Sequence, residues 1–219
     1  ELCVNGESWI SFVCSPTNLK ELAVGFLWNE NVISDLHQVR SINLSPDLSK
    51  IEIKLDRLVK KPTNFHRTST GIAFPRSETA AREMDGFSYP AKELPSLYNR
   101  FSEAQELHSL VGGFHSGGLS DGQTIQIIME DLGRHNCLDK LAGAWLQAEH
   151  RIRPAILLIS GRISSEMVLK SLTMGCRILV SRTSPTALAI EIAEKAGICL
   201  VGYMRSKQFH IYSHSEYLV

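Results

Sequence analysis

From Gln123 onward the chain repeats one unit: a short apolar run rich in branched residues, a polar loop, and a stretch with helical spacing. The runs are Gln123–Met129, Ala155–Ile159, Arg177–Val180 and Ile198–Val201, and the helical stretches after the first three end near Glu149, Met174 and Ala196. Strands alternating with helices predict α/β architecture with at least three parallel strands. A last run, Phe209–Tyr212, is expected at the sheet edge.

Each of the four runs ends in a loop that carries an arginine: Arg134, Arg162, Arg182 and Arg205. If the strands are parallel neighbours, the four guanidiniums and three helix N-termini converge on one edge of the sheet. Guanidinium pairs bidentately with phosphate, and helix-terminal amides carry partial positive charge, so such an edge is an anion site. Each arginine alone reads equally as a solvated side chain; four in phase favour a ligand with more than one phosphate. Ser164 and Thr186, hydroxyls of the second and third loops, join the candidate binding residues.

The densest of these loops is Glu130-Asp131-Leu132-Gly133-Arg134-His135-Asn136-Cys137-Leu138-Asp139-Lys140. Gly133 permits a tight turn and Asn136 is expected to cap the helix that follows, leaving Arg134 and His135 at the mouth of the sheet, where ligands bind in open α/β folds. Upstream, Val111-Gly112-Gly113-Phe114-His115-Ser116-Gly117-Gly118 reads as turns, or as a place where backbone can approach a ligand, with His115 its notable side chain. A histidine in such a place is more often structural than catalytic.

The N-terminal 55 residues read as a small α+β subdomain. Leu2–Val4 and Trp9–Cys14 form a hairpin about Asn5-Gly6, a helix begins at Asn18 with Glu21 completing a capping box, and Val39–Asn43 and Lys50–Leu55 are strands. Gly25 inside the helical stripe predicts close backbone packing. Residues 56–90 lose periodicity and read as a long functional or mobile loop. Leu94–His108 reads as one amphipathic helix with Pro95 in its first turn, opening an α/β core over residues 91–219.

Lys plus Arg and Asp plus Glu number 23 each, so no net positive field exists to hold a nucleic acid backbone. No apolar run approaches the roughly 20 residues that span a bilayer, and Glu1–Val4 lacks the features of a secretory signal, which points to a cytoplasmic protein without membrane partners. The chain opens on Glu1 rather than Met, so residues preceding Glu1 are expected. Five cysteines, Cys3, Cys14, Cys137, Cys176 and Cys199, are scattered without zinc-type spacing and fit reduced thiols.

Several blocks, in order, resemble the FdhD family of formate dehydrogenase accessory proteins. They are Val4-Asn5-Gly6, Ser15-Pro16 with Glu21–Leu27, Gly113-Phe114-His115, Asp131–Asn136 with Asp139-Lys140, Ser160–Met167, and Ser184-Pro185-Thr186 with Leu200–Tyr203. The resemblance implies a three-layer α/β/α core similar to the cytidine deaminase fold, a small N-terminal subdomain and a homodimer. It further implies a role in taking sulfur from a cysteine desulfurase and passing it to bis(molybdopterin guanine dinucleotide), the cofactor of formate dehydrogenase. Tyr203-Met204-Arg205-Ser206-Lys207-Gln208 matches the cofactor-binding segment of the family. The cofactor would be bound cargo, and no structural metal is expected.

One block departs. Where the family carries Ser-Cys-Gly-x-Cys, this chain reads Ser69-Thr70-Gly71-Ile72-Ala73, so Thr70 and Ala73 stand at the two cysteine positions. A hydroxyl cannot hold a persulfide, because the chemistry needs a thiolate. Three explanations stay open: a cofactor-binding chaperone without sulfur relay, an altered sequence, or another cysteine. Cys137, at a helix start beside His135, is the substitute weighed against a plain core residue, with His115 and His135 as possible support. A deaminase-type zinc enzyme is disfavoured, since neither His-x-Glu nor Pro-Cys-x-x-Cys occurs in a zinc-binding arrangement.

Overall fold

The computed structural model describes residues 1–61, 87–148, 154–206 and 208–219. Its larger sheet has six strands: β5 (His115–Ser120), β6 (Ile125–Asp131), β7 (Ile156–Ile159), β8 (Ile178–Ser181), β9 (Cys199–Gly202) and β10 (His210–Ser213), in the order β10-β9-β8-β7-β5-β6. Strands β7, β8 and β9 are parallel and every residue in them is buried, as expected of unbroken Ile/Leu/Val runs covered on both faces. Strand β10 closes one edge antiparallel to β9.

Strand β5 is the departure from the sequence reading, which took its glycines for turns or for a place where backbone approaches a ligand. It runs antiparallel to both β6 and β7 and separates them. The glycines admit helices on either side: a Cβ at Gly118 would lie 2.9 Å from the Phe101 ring, and one at Gly117 would lie 3.3 Å from Cys137 Sγ and Leu141. Because β5 opposes both neighbours, β6 and β7 point the same way. The carboxyl ends of β6, β7, β8 and β9 therefore share one edge, although β6 and β7 are not adjacent.

Helices α4 (Arg134–Gln147), α5 (Ser165–Thr173) and α6 (Ala187–Ala196) cover one face of this sheet through Leu141, Met167, Val168 and Ala193. Helix α2 (Leu94–Glu103) covers the other through Leu94, Leu97, Tyr98 and Phe101. The single helix expected over 94–108 is broken. Gln105 is extended and buried, and a separate helix, α3 (Glu106–Val111), starts where the Glu130 carboxylate accepts the N–H groups of Leu107 and His108 at 2.8 and 3.0 Å. Tyr89 is buried and pairs with Leu218, so the segment expected to be mobile rejoins the core before residue 90.

The smaller sheet combines β1 (Leu2–Val4), β2 (Glu7–Ile10), β3 (Val39–Leu44) and β4 (Ile51–Leu55) in the order β2-β1-β4-β3, with β1 and β4 parallel. Helix α1 (Leu19–Asn29) packs its Leu22, Phe26 and Leu27 against Leu2, Ile51 and Ile53. The capping box expected at its start does not form, because Asn18 is left-handed and makes no side-chain cap. On its other side α1 meets α4 backbone to backbone: a Cβ at Gly25 would collide with Asp139 O, and one at Gly143 with Glu21 O. Trp28 and Trp145 meet edge to face across the same junction, with ring centres 6.1 Å apart.

Two further caps differ from expectation. Helix α4 begins after Gly133, and Asn136, expected as its cap, lies inside it; helix α6, for which the sequence offers Ser184 as the cap before Pro185, is capped instead by Thr186, which accepts the Ala189 N–H at 3.2 Å. Ser184 and Pro185 instead join the loop after β8 to the loop after β7: Ser184 O accepts from Ile163 N, and Ile163 O accepts from Thr186 N at 2.9 Å.

Candidate functional site

Half of the 130–140 junction is internal scaffolding. Lys140 and Asp131, both with fully buried side chains, pair at 2.7 Å. Lys140 Nζ also donates to Ser15 Oγ at 2.7 Å, and the Ser15 N–H and hydroxyl donate to Asp131 Oδ2 at 3.0 and 3.1 Å. The other Asp131 oxygen accepts from Gly133 N at 2.8 Å and Asn136 Nδ2 at 2.9 Å, and Asn136 Nδ2 reaches Val13 O at 2.7 Å. Four donors and a cation satisfy this buried carboxylate, as burial of a charge requires. A second buried pair, Lys170 to Asp139 at 2.6 Å, takes in Asn29 Nδ2 at 2.8 Å. Both networks hold the first turn of α4 between the N-terminal unit and the core.

That turn carries Arg134 and His135. His135 Nε2 stands 2.7 Å from Glu166 Oε2 on α5, and both side chains are mostly buried. Burial holds the His135 imidazole below its ordinary pKa despite Glu166, so the ring is neutral at pH 7. His115, at the start of β5, lies across from Asp131 and beside Gly161, where a Cβ would come within 3.1 Å of His115 Nδ1 and 3.5 Å of Arg134 Cβ. Burial, and then the Arg134 charge, lower the pKa of His115 as well. Burial and the neighbouring Arg162 lower that of Arg134, which places two guanidiniums in mutual range. The Ser164 hydroxyl, at the cap position of α5, makes no cap bond, and its oxygen is buried without a hydrogen-bond partner.

Further along the edge, Arg182 and Arg205 are exposed at the ends of β8 and β9. Arg205 Nη1 donates to Arg182 O at 2.7 Å and to Met204 O at 2.9 Å, so part of this guanidinium fixes the backbone of the loop before it. Tyr203 adopts a left-handed backbone, with φ 50°, and is half-exposed beside His210, ring centres 5.5 Å apart; His210 in turn stacks near Tyr212. Met204 is buried and belongs to the core beneath the segment. Ser206 and Gln208 are exposed, Gln208 O accepts from Arg205 N at 2.9 Å, and Lys207 lies outside the described residues. Thr186 Oγ1 is engaged as a helix cap.

The thiols are arranged otherwise. Cys137 is fully buried, its Sγ donates to Met129 O at 3.1 Å, and burial pushes its pKa far above the ordinary thiol value. Such a thiol is not a nucleophile. Cys3, Cys176 and Cys199 are also buried, and Cys14 is half-buried. Thr70 and Ala73 lie outside the described residues. Among the described residues no group of three or more His, Cys, Asp or Glu could hold a metal ion, and no helix is long and apolar enough to cross a membrane.

The edge thus gathers the four arginines, His115 and His135, with Arg134 and Arg162 forming one pair and Arg182 and Arg205 another, while Cys137 sits in the core. Sequence reasoning missed Glu166 and Ser15. Glu166 carries a signal, being the acid in the first turn of a helix after an arginine-bearing loop; Ser15 stands in a block of the family resemblance, but nothing local to it shows its partners, which are 116 and 125 residues away.

Fold and edge define an α/β protein whose strands deliver cationic and imidazole side chains to a single rim. The whole chain, residues 1–219, matches the model of the FdhD/NarQ family and belongs to that family. Relatives named sulfur carrier protein FdhD from Staphylococcus aureus strains MRSA252 and Newman are each 32% identical over 228 residues, covering 100% of this chain and 86% of theirs. The crystal structure of a formate dehydrogenase accessory protein from Desulfotalea psychrophila superposes with a TM-score of 0.82 at 26% identity, covering 100% of this chain and 87% of that one.

Proposed function

We propose that this protein serves formate dehydrogenase by binding bis(molybdopterin guanine dinucleotide) along the arginine edge and handing it sulfur drawn from a cysteine desulfurase. The observation that carries the binding half is the common direction of β6, β7, β8 and β9, which brings Arg134, Arg162, Arg182 and Arg205 to one rim. Diphosphate groups are what guanidiniums and helix N-termini recognise together. The exposed Tyr203 ring, with His210 and Tyr212 beyond it, offers aromatic faces on which a guanine can stack.

The sulfur half is supported by the name its relatives carry, and it meets a chemical constraint in this chain. With Thr70 and Ala73 at the positions of the family cysteines and four of the remaining thiols buried, Cys14 is the thiol least shielded from a sulfur donor. The resemblance also supports a core related to the cytidine deaminase fold, a cytoplasmic location and a homodimer; helices on both faces of a mixed sheet accord with the first of these.

The protein isolated from cells that make the cofactor tests the whole reading. It should carry molybdenum and release guanine nucleotide on acid treatment, and should restore formate dehydrogenase activity to a strain lacking its own accessory protein. Protein free of molybdenum and nucleotide from such cells contradicts the binding half; cofactor-loaded protein that restores nothing contradicts the sulfur half.

A further inference from the structure

Side chains at the β6 and β7 end of the rim differ in kind from those at the β8 and β9 end. Arg182 and Arg205 sit beside aromatic rings, whereas Arg134 sits beside two imidazoles and a carboxylate, within range of the Arg162 charge. Gly161 lies between them: a methyl group there would crowd the His115 ring, 3.1 Å from Nδ1, and would touch the stem of Arg134 at 3.5 Å. Helix α5, nine residues long, starts in the same loop; its Met167 and Val168 amides bond to Ser164 O, while the Ser164 hydroxyl oxygen is buried and makes no hydrogen bond.

We propose that Arg134 and Arg162, with His115, His135 and the start of α5, form a second anion subsite for a doubly charged tetrahedral oxoanion group, separate from the Tyr203–Gln208 segment and strengthened by acid. At neutral pH its formal charge is two guanidiniums against the carboxylate of Glu166. His115 faces the Arg134 cation, the His108 and His135 rings, and the Asp131 carboxylate, the last already paired with Lys140. His135 faces Glu166, Lys170 and Arg134. Both imidazoles are neutral at pH 7 through burial, so each adds a positive charge to the subsite as pH falls. A bound dianion favours those charged forms, and by linkage it raises both histidine pKa values while acid tightens the anion.

The inference builds on the cofactor reading but fails separately from it, because it concerns residues remote along the rim from the nucleotide segment. The probe is inorganic sulfate, which keeps both charges over the range where histidine titrates. In the protein, imidazole resonances of His115 and His135 should shift saturably with sulfate at pH 6 and titrate at higher pH when sulfate is bound, while exposed His37, in the short 3-10 turn before β3 of the smaller sheet, stays still. Arg162→Gln should weaken sulfate by about tenfold or more, the scale of one charge-assisted contact. Gly161→Ala, which crowds His115 without removing a charge, should weaken it too. Linear, unsaturating shifts, sulfate affinity that does not change between pH 6 and pH 8, or full affinity in Arg162→Gln each overturn the subsite. GDP binding that survives these outcomes leaves the cofactor reading standing.

Discussion

Removing Lys140 is the sharpest test of how the rim is held in place. Lys140→Met keeps the length of the side chain and its apolar stem but leaves the Asp131 carboxylate buried without its cation. Breaking one partner of a buried pair costs about 3–5 kcal/mol. Here four donors remain on Asp131, from Ser15 N and Oγ, Gly133 N and Asn136 Nδ2, so the loss belongs at the lower end, about 3 kcal/mol. For a chain of this size that is about 6–12 °C in melting temperature. Trp28 and Trp145, in contact where α1 crosses α4, report unfolding by fluorescence in urea. Asp131→Asn combined with Lys140→Met removes both charges and should be more stable than Lys140→Met alone, because the uncompensated anion is gone. A loss below about 1 kcal/mol in the single variant, or a double variant that is worse still, would refute the idea that Lys140 holds a buried charge in balance.

The remaining predictions follow from individual contacts. Gly143→Ala gains helix propensity of about 1 kcal/mol but drives a methyl into Glu21 O, so the crossing should loosen and net stability fall by about 2 kcal/mol or more, read by the same urea titration. His214 contacts Glu194 O at 2.8 Å and Glu216 at 2.7 Å; burial lowers its pKa, but these acceptors outweigh it and raise the net value. A raised histidine pKa stabilises fully below the unfolded value of about 6.5 and is lost as pH rises through the folded value, so His214→Gln should flatten the fall of stability between those two values; an unchanged pH profile contradicts the contact. Under native alkylation Cys14 should be labelled before the other four cysteines, and peptide mass spectrometry finding Cys137 modified first would mean its burial is misjudged.

The sequence conveyed the sheet's centre and missed what lies between its strands. Ile156–Ile159, Ile178–Ser181 and Cys199–Gly202 were legible because parallel strands covered on both faces are continuous apolar runs. Strand β5 was not, because Gly117 and Gly118 serve the packing of Phe101 and Leu141 rather than any strand preference, and that reason exists only in three dimensions. Its insertion also changed the basis of the arginine argument: the shared edge depends on two antiparallel pairings, not on four adjacent parallel strands. Gly25 is the opposite case, a residue whose poor helix propensity announced a close approach, with Gly143 as its counterpart. Asn136 looked like a cap because caps and buried amides draw on the same residue types; only Asp131 and Val13, from a strand and a distant loop, decide between them.

A calorimetric titration with GDP, on the protein and on variants carrying Gln at Arg134, Arg162, Arg182 or Arg205, addresses the rim most directly. Saturable binding that weakens in Arg182→Gln and Arg205→Gln, beside the aromatic segment, with smaller losses in Arg134→Gln and Arg162→Gln, is the predicted pattern. Absence of heat, or affinity indifferent to all four replacements, contradicts it.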